Sequence, residues 1–413
     1  MTVPDNSNHS AVVVGEPETP DFGRRGRFGF ALVLFALAVM MVGAAAPTPF
    51  YPVLAERLAL SPLVMTLVFA VYAVALLIAL LTLGSLSDHI GRKPVIAAGF
   101  VLLAAAAVLF WQADSAALLL GARVLQGVAS GVLLAALSAA AVDLEPPDRP
   151  GSATISNAVF PLVGLAVGAL LSAVILDRVG AGAIGAVFGS LAVCYLLLVV
   201  AVLTLPETVG RRGGVLASLL PRVSLSPEAA PVFWRGAPAV AAGWATGGLY
   251  LALGPSIIAN EFGGRTHLSG GIVVTLLAGT GAAAGWIMRN RTPRAISLYG
   301  ATLLAVGTAG TLVAIAVQWL PAYYATIMIA GLGFGTAFFG VLRTVVPLTH
   351  PDDRAENIAA ILVVSYLAFG IPTVIAGLLI PRIGLDAAVY GYGTLVILAA
   401  GTAALMRRFG SSD

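Results

Sequence analysis

The chain has 413 residues, 59% of them hydrophobic and only 10% charged, with a net charge of +3. A water-soluble chain of this length needs far more polar surface, so the composition places it among membrane proteins. Its one cysteine, Cys194, lies in an apolar run, which excludes an intrachain disulfide and a thiolate metal cluster.

Residues 1–27 read as a polar, acidic, proline-containing tail closing on Arg24, Arg25 and Arg27, and are expected to be disordered and cytoplasmic. The apolar run that follows is read as a retained first helix. It is longer than a signal-peptide core and sits behind too long a tail. A membrane helix needs about 20 mostly apolar residues. That window predicts twelve spans at 28–46, 63–83, 95–112, 115–139, 152–176, 182–204, 237–258, 269–288, 296–317, 322–342, 358–380 and 386–406. The short alternating strands of a closed barrel are absent from the sequence. The predicted class is an all-α integral membrane fold. A long link at 205–235, rich in Pro, Gly and Arg, divides it into six-helix halves at 28–204 and 236–406, with a cytoplasmic tail at 407–413.

Orientation follows from the bases. With the N-terminus inside, most of the 22 basic residues fall in cytoplasmic segments, and only Arg57, Arg178, Arg265 and Arg382 fall in outer loops. Both termini are therefore expected to be cytoplasmic.

Between the second and third spans lies a charged island, Gly84-Ser85-Leu86-Ser87-Asp88-His89-Ile90-Gly91-Arg92-Lys93. About ten residues leave room only for a tight turn, and its two glycines allow close backbone approach and positive φ. The spacing G-x-L-x-D-x-x-G-R-K resembles the loop signature of the major facilitator superfamily, which lies between that family's second and third helices. His89 stands where the family usually has arginine. The resemblance implies two six-helix bundles around a central cytoplasmic loop, related by an axis along the membrane normal. It also implies a cytoplasmic gate formed here by Gly84, Asp88, Gly91, Arg92 and Lys93 with Asp143 at the end of the fourth span. Asp88 would also face the positive N-terminus of the eleventh helix, which Asp352 and Asp353 would cap.

Arg123 lies within the fourth apolar run, in Arg123-Val124-Leu125-Gln126-Gly127. An arginine at membrane depth costs roughly 2.5–3.5 kcal/mol on insertion scales, so it should face protein or water. R-x-x-Q-G resembles the superfamily's fourth-helix motif, which implies that Arg123 binds or senses substrate or proton. Gln126 would be its neighbour, and Gly127 would permit close packing. In the fifth span Asn157 precedes Gly164-Leu165-Ala166-Val167-Gly168-Ala169. Gly164 and Gly168 resemble the fifth-helix signature of exporters in this family, with Ala169 in place of the expected proline. The second-half counterpart of the opening loop, Gly285 to Arg294, keeps a glycine and three arginines but no aspartate.

The proline cluster Ala46-Pro47-Thr48-Pro49-Phe50-Tyr51-Pro52 is expected to end the first helix. Tyr51, Asn157, Trp244, Tyr250 and Tyr366 are the candidate cavity-lining residues. No carboxylate or histidine falls at a span centre, so proton coupling is implied by the family alone; a buried cation without acid partners suits an anionic or polar neutral substrate. The sequence has no nucleotide loop, metal-spaced histidine pair or G-x-S-x-G element. No enzyme activity, cofactor, metal or nucleic-acid partner is expected. The resulting expectation is a monomeric inner-membrane carrier of a small molecule, exporting a drug or metabolite against protons. Uptake of a small organic acid or sugar, and a non-transporting receptor on the same fold, are the alternatives.

Overall fold

A computed structural model describes residues 24–221, 223–263, 267–350 and 354–409. The expected tail at 1–23, Arg222, Arg265, and the proposed capping residues Asp352 and Asp353 lie outside the described residues.

Among the described residues all regular structure is helical. Helix α1 is Arg24–Ala45, followed by a 3₁₀ turn at Thr48–Phe50 and α2 at Tyr51–Arg57. Then come α3 Pro62–Leu83, α4 Leu86–Ile90, α5 Arg92–Trp111, α6 Ala116–Asp143, α7 Ser152–Val179, α8 Ala183–Leu203 and α9 Val215–Ser218. The second part holds α10 Ala230–Glu261, α11 His267–Ile287, α12 Pro293–Ala316, α13 Leu320–Val345 and α14 Arg354–Phe409. Local chemistry sets the starts: Ser61 and Thr292 accept from the backbone N–H three residues on, each ahead of a proline that cannot donate.

Several boundaries differ from the sequence expectation. Charged ends such as Arg92, Asp143 and Glu261 continue their helices into polar surroundings, where an apolar window stops too early. Arg24 to Arg27 belong to α1 rather than to the tail, and α10 takes in residues 230–235 of the expected link. Helix α1 ends at Ala45, at the proline cluster, as expected. The chain passes through the 3₁₀ turn and resumes as α2.

Nine helical stretches among the described residues are long and apolar enough to cross a membrane. Two of them, Ser152–Leu203 and Glu356–Arg408, run for 52 and 53 residues. At 1.5 Å per residue each would measure roughly 80 Å, well over twice a hydrocarbon core of about 30 Å. Each is broken by a left-handed glycine, Gly180 at φ 64° and Gly384 at φ 83°. Helix α10, with 32 residues, is not among the nine.

Packing relies on small residues, as expected where lipid removes the hydrophobic drive between helices. Helix α6 meets α3 at Gly127, where a Cβ would stand 2.5 Å from the Tyr72 carbonyl oxygen. Helix α7 meets α1 at Gly164 and Gly168, where a Cβ would collide with the carbonyl oxygens of Ala38 and Val42. Two antiparallel pairs join the first part to the second. In one, Asp177 of α7 accepts from the backbone N–H groups of His267 and Leu268 at 2.8 and 3.0 Å, while Gly285 lies by Val159 at the other end of the pair. In the other, the ring of Phe69 on α3 lies 4.7 Å from that of Phe369 on α14. These pairings bring Arg92, Arg289 and Arg407 to one end of the bundle, the basic end, and Arg57, Asp177 and Glu261 to the opposite end.

Candidate functional site

At the basic end, Gly91 adopts φ 105°, a value open to glycine, and lets the chain reverse between α4 and α5. The first residue of α5, Arg92, is 8% exposed. Its Nη1 pairs with Asp88 at 2.5 Å and donates to Ser87 Oγ at 2.7 Å, and its Nε pairs with Asp143 of α6 at 3.0 Å. One guanidinium thus ties the turn to the end of the fourth span. Thr208 donates to the same Asp143 oxygen at 2.8 Å. Glu207 accepts from the backbone N–H groups of Arg92 and Lys93 at 2.7 and 3.1 Å, placing a carboxylate at the positive N-terminus of α5. The turn is held further by Arg212, whose backbone N–H donates to the His89 carbonyl at 2.8 Å, and by Ser85, which donates to the Ser218 carbonyl at 3.0 Å. The stretch after α8 therefore folds back over the turn. Gly84 lies where α3 ends, at the start of this turn.

The second cluster is buried. Arg123 is 1% exposed, and no ion pair among the described residues includes it. Its Nη1 donates to Gln126 Oε1 at 2.7 Å and reaches the Ala44 carbonyl at 3.5 Å, and its Nη2 donates to the Tyr51 hydroxyl. Gln126 in turn donates to the Gly43 carbonyl at 2.8 Å. Three rings face the guanidinium, those of Tyr72, Phe110 and Tyr51 at 5.3, 5.4 and 5.5 Å. Hydrogen bonds to carbonyls and a hydroxyl, with aromatic faces, offset part of the cost of burying the charge. Arg123 Nε is buried without a hydrogen-bond partner. The break after α1 belongs to this cluster, because Ala44 lies just before it and Tyr51 just after it.

The other candidates are scattered. Tyr51, at 4% exposure, also lines a cavity of about 260 Å³ at the opposite end of the bundle, together with Thr66, Ser256 and Asn260. Asn157 donates to the Ser138 carbonyl at 3.1 Å, joining α7 to α6. Trp244 packs at 4.7 Å on Tyr366 and edge-on to Phe369. Tyr250 is 1% exposed and lies 2.8 Å from Thr311 within the second part.

Sequence reasoning missed two groups. Glu207 and Thr208 follow directly on the sixth apolar span, and an acid so placed was a signal for a helix-end contact. Glu261 and Asp386, from α10 and α14, are far apart in sequence and gave none. Their hydrogen bond, burial and the Asp386 charge push the Glu261 carboxyl up to about 7.

Comparisons with known proteins bear on the fold and the family. The chain resembles a solved bacterial homologue of the human lysosomal transporter Spinster in its inward-facing, unoccupied conformation. The TM-score is 0.74 at 14% identity, covering 94% of this chain and 98% of that one. The same homologue in its inward-facing, occupied conformation matches with a TM-score of 0.68, also at 14% identity, covering 93% and 97%. No curated relative matches the chain by sequence. The sequence profile of the Major Facilitator Superfamily matches residues 33–373. Over that range lie the charged turn, the R-x-x-Q-G helix and most of the bundle, and the chain belongs to the Major Facilitator Superfamily of membrane transporters.

Proposed function

We propose that this chain is a secondary active transporter that moves a small molecule by alternating access, with proton-coupled efflux of a drug or metabolite across an inner membrane as the preferred direction. In this reading there are twelve spans. The two overlong stretches each divide at their glycine, and α10 supplies the remaining span. Six spans lie on either side of the 205–235 link, and both termini are cytoplasmic, on the basic side.

The observation that carries the proposal is the pairing of Arg92 with both Asp88 and Asp143, in a turn that the chain following α8 also clasps. The Asp88 side chain is 50% exposed and that of Asp143 27%. Arg92 itself is buried, so the two partly exposed carboxylates are the groups that can separate into solvent when the turn opens. Arg123 supports the same reading from the other side: its unpartnered Nε–H is a buried donor available to an incoming acceptor, which favours an anionic or polar substrate.

The test is transport in inside-out vesicles carrying an acid-inside pH gradient, over a panel of dyes, drugs and organic acids. Collapse of the gradient by at least one compound, lost in Asp88→Asn at equal abundance, is the expected result. Flux indifferent to the gradient would replace proton antiport by uniport or another coupling ion. Ligand binding without flux in the wild type would favour a receptor.

A further inference from the structure

The ends of α10, α12 and α14 bring three guanidinium groups together on the basic side. Arg407, in the last turn of α14, lies over the start of α10, with its Nη2 3.5 Å from where a Cβ of Gly236 would stand. Arg294, the second residue of α12, donates from Nη2 to the Arg407 carbonyl at 3.3 Å. Burial, then Arg294 and Arg235, oppose the charge on Arg407. Arg407 Nη2 is nevertheless buried without a hydrogen-bond partner, and no ion pair among the described residues includes Arg235 or Arg407. Glu356, the acid of the first turn of α14, is bonded by Ser224 at 2.5 Å.

Clustered like charges are unfavourable, and a buried donor left unpaired costs about 1–3 kcal/mol. Arg294 also sits in the first turn of α12, an end whose dipole favours an anion rather than a base. A counter-anion would relieve Arg407 and Arg235. Trp234 identifies the depth. It is 60% exposed beside the fully buried Phe233, whose ring lies 5.2 Å away, and exposed tryptophans at span ends sit at the level of lipid headgroups.

We infer that the junction of α10, α12 and α14 binds a phosphate group, held by Arg407 and Arg235 with Arg294 beside them. The site is separate from the Arg92 and Arg123 clusters; it rests on the proposed orientation, with the basic end cytoplasmic, and not on transport activity. The headgroup of an anionic phospholipid and free inorganic phosphate share the required chemistry. Basic pockets between spans on the cytoplasmic side favour the lipid.

The experiment is thermal unfolding of the full chain purified in a neutral detergent, with added phosphatidylglycerol, phosphatidylcholine or inorganic phosphate. Phosphatidylglycerol is expected to raise Tm well beyond phosphatidylcholine. Most of that rise should be lost in Arg235→Gln and in Arg407→Gln, and kept in Arg149→Gln, an exposed base elsewhere on the same side. Arg235 is exposed, so its variant keeps the comparison valid if Arg407→Gln is poorly folded. A rise with inorganic phosphate alone, lost in the same variants, would support the site with a soluble anion as its occupant. An equal rise with both lipids, or an unchanged phosphatidylglycerol effect in both variants, would overturn the inference.

Discussion

At the scale of single residues, Arg123 and Glu261 make separable predictions. Arg123 satisfies Tyr51, Gln126 and the Ala44 carbonyl from one planar group. Lysine keeps the charge but cannot span those acceptors with a fixed fork. Losing one hydrogen bond to a charged group costs about 1.5–3 kcal/mol, roughly a tenfold effect or more on an equilibrium. Both Arg123→Ala and Arg123→Lys are expected to lower flux by at least about tenfold at matched abundance in vesicles. Full flux in the lysine variant would reduce the role of this residue to its charge. For Glu261, the folded-state carboxyl titrates at about 7, above its ordinary value of 4.5. Its stabilising contribution is therefore fully present below the ordinary value and is lost as pH rises through about 7. The Tm of the wild type should fall over that interval, and Glu261→Gln should flatten that part of the profile. Superimposable profiles would exclude the Glu261–Asp386 pair as the cause.

At the scale of elements, the helices depend on close approach and on their capped ends. A side chain at Gly168 would run into the Val42 backbone of α1, where relief requires moving a helix rather than a rotamer. Gly168→Leu is expected to cost about 1–3 kcal/mol, read as a lower Tm of the purified protein. Glu207→Ala removes the acceptor of two N–H groups at the start of α5, a loss of about 0.5–2 kcal/mol by analogy with capping residues. It should lower Tm, whereas Glu207→Gln, which keeps an acceptor oxygen, should retain part of the effect. Equal values for the two variants would mean that the carboxylate oxygens do not cap α5.

Across the whole molecule, the legible features were those encoded in adjacent residues. Long apolar runs exposed the helices, and the fixed offsets of Asp88, Gly91 and Arg92 exposed the turn, because a tight reversal leaves its chemistry within ten positions. The burial of Arg123 was legible because a lone base in an apolar run has few places to go. Contacts assembled from distant segments were not legible. Nothing near Tyr51 announces its bond to Arg123: the proline run ends α1, and the 3₁₀ turn beyond it carries Tyr51 back to that arginine. Helix ends were misplaced wherever charged residues kept the helical hydrogen bonds going beyond the apolar window, as at Glu261.

On the proposed mechanism the two ends of the bundle open in alternation, with the Arg92 contacts stabilising closure of the basic end. Its most direct test is distance measurement between spin-label pairs in a Cys194→Ser background. One pair, Arg149→Cys with Arg291→Cys, spans the basic end; the other, Asp114→Cys with Asn260→Cys, spans the opposite end. Two populations are expected at each end, shifting in opposite senses, with Asp88→Asn lengthening the basic-end distance and shortening the other. A single distance at both ends, unmoved by Asp88→Asn, would contradict it.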